Sequence, residues 1–175
     1  NRLPVSITHY YNSCDSDKDE FGMGYGWRTS LHQTLHKVLY NGEVEFVYTD
    51  GDGTEHFFKK NEDNPKKYSD QSGLSLTLEV GDENITITDK GDNGMTFPLV
   101  SDTPTEDAPE TAKVLIQKIQ DAIGNEVTVT AVADSPLKIA SVTDGAGRVT
   151  TLHYTDGRCD RIQTPWQDEN SCVRF

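Results

Sequence analysis

The sequence predicts an all-β protein, an antiparallel array of β-hairpins and meanders. Three observations carry that prediction. Ile116, Ile119, Asp121, Gly124 and Val129 return 23 positions later as Ile139, Val142, Asp144, Gly147 and Leu152. Apolar and polar residues alternate over many short runs, the period of a half-buried strand. Only 34% of the 175 residues are apolar and the mean hydropathy is −0.64, which suits extended sheet with much exposed surface better than a buried parallel one.

Taken in order, residues 3–11 set Leu3, Val5 and Ile7 on one face and Ser6 and Thr8 on the other, a half-buried strand. Residues 12–26 form a polar, then glycine-rich loop running into Trp27. Asn41-Gly42 separates strands 35–40 and 43–49, a hairpin signal because this pair tolerates the positive φ angles of a type I′ turn. Asp50-Gly51-Asp52-Gly53 turns the chain into strand 54–60, which completes a three-stranded meander. A charged loop follows at 61–72, then strands 73–80, 84–88 and 95–99. Residues 101–111, with two prolines and several acidic residues, read as a linker between an amino-terminal sheet (1–100) and the repeats (112–175).

Each repeat reads as a short apolar strand, an Asp-x-x-Gly turn and an alternating strand: 116–120 to 125–131, then 139–143 to 148–154. A third strand at 158–163 begins the pattern again and leaves it incomplete. Units of this size are each too small to bury an apolar face alone, so they stack. Residues 109–124 also fit an amphipathic helix with Gly124 as its cap. The register match to 139–147, where Pro136, Val142 and Thr143 disfavour helix, selects strand.

A net charge of −13 argues against nucleic acid and anionic membrane surfaces as partners. No transmembrane run and no signal peptide occur, and without an initiating Met the sequence reads as a segment of something longer. Cys14, Cys159 and Cys172 have no metal-ligand spacing; free thiols are expected, with a Cys159–Cys172 bridge as the alternative.

The repeats resemble the YD repeats of bacterial RHS polypeptides, a unit also found in animal teneurins. Residues 139–156 carry it: an apolar strand, Asp144-Gly145-Ala146-Gly147-Arg148, a Thr-rich strand and Tyr154-Thr155-Asp156, with one residue between Tyr and Asp. Asp121-Ala122-Ile123-Gly124-Asn125 fits the Gly-Asn variant, although Ala131 replaces the tyrosine. Residues 3–13 resemble the opening strand of the segment that precedes such repeats. Gly24-Tyr25-Gly26-Trp27-Arg28 resembles its Gly-x-Gly-Trp turn, and residues 48–58 its Asp-Gly hairpin. Residues 3–60 and 114–164 carry the match, whereas 61–113 agree only in hairpin style. The resemblance implies a large secreted or surface-displayed polypeptide whose strands spiral into a hollow shell, which in many members encloses a variable toxin domain. The autoproteolytic site of some members belongs to a distal region, and no motif for it occurs here.

Asp15, Asp17 and Asp19 are the sharpest metal candidates, because alternate carboxylates suit calcium. Glu20 stands where a glycine is needed, so solvated acidic loop tips are the preferred reading and no cofactor is expected. Tyr25, Trp27 and Trp166, with Tyr10 and Tyr11, could form a glycan platform, or Tyr25 and Trp27 could pin the glycine-rich turn against the sheet. The five histidines read as solvated strand residues, and no hydrolase or phosphate-loop motif occurs. The expectation is a non-enzymatic structural segment of a secreted or bacterial cell-surface RHS/YD-repeat protein. Its partners would be the rest of the same polypeptide or another strand at the edge 158–175. The alternative is a carbohydrate- or cell-surface-binding β module, stabilised by calcium or not.

Overall fold

The computed structural model describes residues 3–168 and 172–174. Strands β1 (His9–Tyr11) and β2 (Trp27–Thr29) pair antiparallel with each other, apart from the main sheet. The strand expected over 3–11 is therefore mostly absent. Leu3, Val5 and Ile7 do pack against the core, yet residues 3–8 form no ladder. Residues 3–30, which contain β1, the glycine-rich loop and β2, lie as a strap, closed where the Thr8 carbonyl accepts the Ser30 N–H at 2.8 Å. Period-two alternation reports which side faces the core, and a backbone partner is a separate requirement.

Asn41 and Gly42, at φ 50° and 81°, join β3 (Thr34–Tyr40) to β4 (Glu43–Thr49) through the type I′ turn that the sequence predicts. The meander continues through β5 (Glu55–Lys60), β6 (Lys67–Asp70), β7 (Thr77–Val80), β8 (Asn84–Thr88) and β9 (Gly94–Pro98), each paired antiparallel with the next. Strand β6 lies inside the segment expected to be a charged loop. Its Tyr68 packs edge-on against Phe46 at 4.8 Å, and that one aromatic anchors a strand otherwise polar in sequence. Strand β7 is shorter than its pattern, because Ser75 at φ 59° belongs to the turn and Leu74 faces solvent.

Residues 109–124 contain no helix. Strand β10 (Val114–Leu115) pairs with β3, and β11 (Lys118–Gln120), three residues further on, pairs with β9. One stretch of chain thus bonds the first strand of the meander and then the last. The two contacts are staggered, so the sheet coils past itself without closing into a barrel. It continues through β12 (Glu126–Val132), β13 (Ser135–Thr143), β14 (Val149–Thr155) and β15 (Arg158–Gln163), an unbroken run of hairpins. Strand β16 (Val173–Arg174) folds back on β15 through two residue pairs and covers part of the edge expected at 158–175. Residues 169–171 and 175 of that tail lie outside the described residues.

The coil gives the sheet an inner face. Phe46, Phe58, Leu78, Ile85, Ile87 and Phe97 are buried there, and Val127, Val129, Val142, Leu152 and Ile162 extend the same core along the repeats. Tyr48 on β4 meets Phe97 on β9 at 5.9 Å, edge to face across the interior. Burial of one such aromatic is worth about 1.5–3 kcal/mol.

Two glycines separate steric from conformational cost. An ideal Cβ on Gly51 would sit 2.4 Å from the Ser30 carbonyl oxygen, whereas one on Gly147 meets nothing but requires φ 75°. Gly51→Ala is expected to cost about 3 kcal/mol by overpacking and Gly147→Ala about 1 kcal/mol by strain alone. Urea unfolding of both variants checks this, and equal losses would contradict the close packing of the strap on the β4–β5 turn.

Candidate functional site

The recurring element is a turn built by one aspartate. At Asp121 the first carboxylate oxygen accepts the N–H of Ile123 at 3.1 Å and of Asn125 at 2.9 Å. The Asp121 carbonyl accepts the Gly124 N–H, and its own N–H donates to the Asn125 carbonyl, both at 3.0 Å. Gly124 supplies φ 85°. Asp144 repeats this with Ala146 at 2.8 Å, Arg148 at 2.9 Å and Gly147. An aspartate is needed because a short carboxylate reaches backbone donors two and four residues ahead, satisfying groups that leave the ladder at a turn.

The fifth position explains the Asn/Arg alternation. Asn125 Nδ2 donates to the second Asp121 oxygen at 2.7 Å, and Arg148 Nε does the same for Asp144 at 2.6 Å. These bonds hold both carboxyls below the usual carboxylate range, the side-chain donor being the main cause in each. The two turns touch, since an ideal Cβ on Gly145 would lie 3.8 Å from Asn125 Cβ. Both turns reverse the chain at the same end of their strand pairs, β11–β12 and β13–β14.

Two further turns have the same construction at intervals that fixed-period comparison does not detect. Asp89 accepts from Gly91 and Asn93 at 2.7 and 2.9 Å, with Asn93 Nδ2 on its second oxygen. Asp50 accepts from Asp52 and Thr54 at 3.1 and 3.0 Å, and its second oxygen takes His56 Nε2 at 3.0 Å. His56 Nδ1 reaches Ser72 Oγ at 3.2 Å, and Ser72 Oγ donates to Asp70, whose carboxylate caps a longer turn of related design. All five turns join alternate strand pairs, so they line one rim of the coiled sheet.

The glycine-rich strap is tied down elsewhere. Asp15 accepts from Asn12 Nδ2 at 2.9 Å and pairs with Lys18, while Asp19 accepts the Gly24 N–H at 3.0 Å and faces Arg158 Nε at 3.4 Å. Asp17 is exposed and joins neither contact. The three candidates therefore do not converge, and among the described residues no group of His, Cys, Asp and Glu is arranged to hold a metal. The Gly22 carbonyl accepts the Cys159 N–H at 2.6 Å, and Glu20 pairs with Lys113 at 2.9 Å, which ties the strap to later strands. Cys14 and Cys159 are free thiols.

Trp27 packs on Tyr11 at 5.3 Å and is partly exposed, Tyr25 lies under the Arg158 guanidinium, and Trp166, 77% exposed, lies beside that of Arg148. Tyr11 and Trp27 thus pair with each other, and Tyr25 and Trp166 each meet a different arginine.

The histidines depart from the solvated expectation: His32, His36 and His56 are buried. His32 Nδ1 accepts the Thr29 N–H at 3.0 Å, which puts the proton on Nε2, and the ring lies 4.6 Å from Phe21. Burial, then the nearby Arg28 and His9 charges, push His32 down to about 3. Period-two patterning could not reveal this, because His32 precedes β3 and is buried by the folded strap.

Residues 1–58, a third of the chain, match the family described as a domain of unknown function (DUF6531). No curated protein matches the chain.

Stability is expected to fall on acidification in two stages. An unfolded histidine takes its proton near pH 6.5, folded His32 only near 3, so stability is lost as pH drops between those values, by up to about 1.4 kcal/mol per pH unit. Below about pH 4 the depressed carboxyls of Asp89, Asp121 and Asp144 lose their bonds as well. Chemical unfolding across pH 3–7 measures the profile; His32→Gln should flatten its upper limb, and an unchanged slope would count against a buried neutral His32.

Proposed function

We propose that this chain is a non-enzymatic structural segment of a secreted or cell-surface bacterial polypeptide of the RHS/YD-repeat kind. It works through shape, as part of a spiral shell or display scaffold for a distal effector or adhesion function. The observation that carries the reading is the aspartate-capped turn, repeated with one hydrogen-bond pattern along one rim of a sheet that coils past itself. Hairpins of identical construction extend such a coil by addition, each burying its inner face on the one before. The amino-terminal strap supports the same reading, since Ser30 packs on the β4–β5 turn and the Gly22 carbonyl bonds to Cys159 of β15, tying the start of the chain to distant strands. Its partner in this role is the remainder of the same polypeptide.

Lengthening the chain after residue 175 by one further Asp-x-x-Gly-Asn hairpin tests the proposal. The longer protein is expected to melt several degrees higher and to self-associate less in sedimentation, because the added strands cover the edge that β16 covers only in part. An added hairpin that leaves melting unchanged and its own amides unprotected from exchange would defeat the proposal. So would turnover of a polysaccharide that is abolished by replacing one Asp or Glu pair.

A further inference from the structure

His56 on β5 is 5% exposed, and its ring stacks on Tyr48 of β4 at 5.5 Å. Its Nε2 faces Asp50 Oδ2 at 3.0 Å and its Nδ1 faces Ser72 Oγ at 3.2 Å. The carboxylates of Asp50 and Asp70 each accept two backbone N–H groups, from Asp52 and Thr54 and from Ser72 and Leu74. Both act as acceptors only. Ser72 has one hydroxyl proton, and it goes to Asp70. Nε2 must then donate to Asp50 and Nδ1 to Ser72, and only the doubly protonated ring donates from both nitrogens. In the neutral ring with its proton on Nε2, Nδ1 and Ser72 Oγ meet as two lone pairs, unless Ser72 turns its proton to the ring and leaves Asp70. The three contacts coexist in the imidazolium alone. The same assignment excludes a hydrolytic reading of this Ser, His and Asp, because the ring has no free nitrogen to take the Ser72 proton.

We propose that His56 is a proton-operated latch: with its second proton it ties the Asp50 turn to the Asp70 turn, and without it residues 71–76 are released. The charged groups around the ring fit this role. Asp50 and Asp70 flank it, Asp52 shares the first turn, and the face of Tyr48 favours a cation. Glu55, the preceding residue of β5, is on the exposed face, and Arg28 on β2 opposes from within the field of Asp50 and Asp52. Asp70 is held below the usual carboxylate range: burial works against this, and the bonds from Ser72 and Leu74, with the nearby His56 charge, outweigh it. Residues 71–76 depend on that carboxylate. They form no strand, take positive φ at Gly73 (84°) and Ser75 (59°), and carry the exposed Leu74. A histidine changes charge between pH 5 and 8, so the latch closes on mild acidification. It acts in the opposite sense to His32, where protonation of Nδ1 breaks the bond from the Thr29 N–H. The inference concerns the response of the rim to pH and does not rest on the structural role proposed above.

The test is NMR of the protein at about pH 5.5 and about pH 8, reading the ring nitrogens of His56 and the exchange of the Ser72 and Leu74 amides. Each histidine has its own ring signals, so the other four are read separately. At the lower pH both His56 nitrogens are expected to carry bonded protons, and protection of the two amides is expected to be roughly tenfold higher than at the upper pH. His56→Gln is expected to remove that pH dependence. Ser72→Ala, at an exposed position, keeps the fold and is expected to leave His56 titrating while the Leu74 amide no longer follows it. A His56 ring without its Nδ1 proton at the lower pH overturns the latch. So does amide protection that is equal at both pH values, or a pH dependence that persists in either variant.

Discussion

The structure depends on one stretch of chain that is hydrogen-bonded on both sides. Residues 109–117 run along β3, where Leu39 and Lys37 exchange backbone bonds with Pro109 and Thr111, and Ile116 donates to the Gln33 carbonyl. Lys118–Gln120 then pair with β9 on one side and β12 on the other. Without this stretch, β3 and β9 would both be open edges, and open edges recruit other chains. With it, the sheet must curl, because its first and last meander strands have to meet the same backbone. The inner face created by that curl buries the aromatic residues of β4, β5 and β9 together. Topology precedes packing here: Tyr48 reaches Phe97 only because residues 114–120 hold the two ends of the meander near each other.

The aspartate turns solve the opposite problem, that of leaving the ladder. Each hairpin reversal frees backbone N–H groups, and a single carboxylate oxygen takes two of them. The second oxygen then needs a donor, which defines what the fifth turn residue can be. Asn and Arg supply it within the turn at Asp89, Asp121 and Asp144. At Asp50 the fifth residue is Thr54, and His56 supplies the donor from the strand. That substitution has a structural consequence. His56 reaches Ser72 with its other nitrogen, so two neighbouring turns of the rim are joined by side chains as well as by strands.

What could be read from the sequence divides along the range of the interaction. The Asn41-Gly42 hairpin and the turns at Asp121 and Asp144 were legible because their determinants lie within five residues. Strand identity over 109–124 was legible only by comparison with 139–147, as local propensity also allowed a helix. Four features were hidden. Strand β6 is polar apart from Tyr68 and exists because β5 and β7 flank it. The turns at Asp50 and Asp89 repeat the same design at irregular intervals, which a fixed period of 23 does not find. The pairing of Val114 with Leu35 joins residues far apart in sequence, and nothing local encodes it. The burial of His32 and Arg28 follows from the strap folding over them, again a non-local event.

The matched amino-terminal segment is not a self-contained structural unit. It ends at residue 58, inside β5, and Phe58 pairs with Asp70 beyond it. Strand β3 borrows its outer partner from residues 109–115, and the strap bonds to Cys159 and Lys113. Leu35 and Phe58 are fully buried, yet residues outside the matched region contribute to the cluster that buries them. A fragment of 58 residues would expose both strand edges and part of this core, with little apolar area to offset the ordering of its long glycine-rich loop. The conformation of the strap, and with it the burial of Arg28 and His32, is therefore set by strands that arrive later in the chain. The matched segment supplies the first strands of a sheet whose remaining partners all come from outside it.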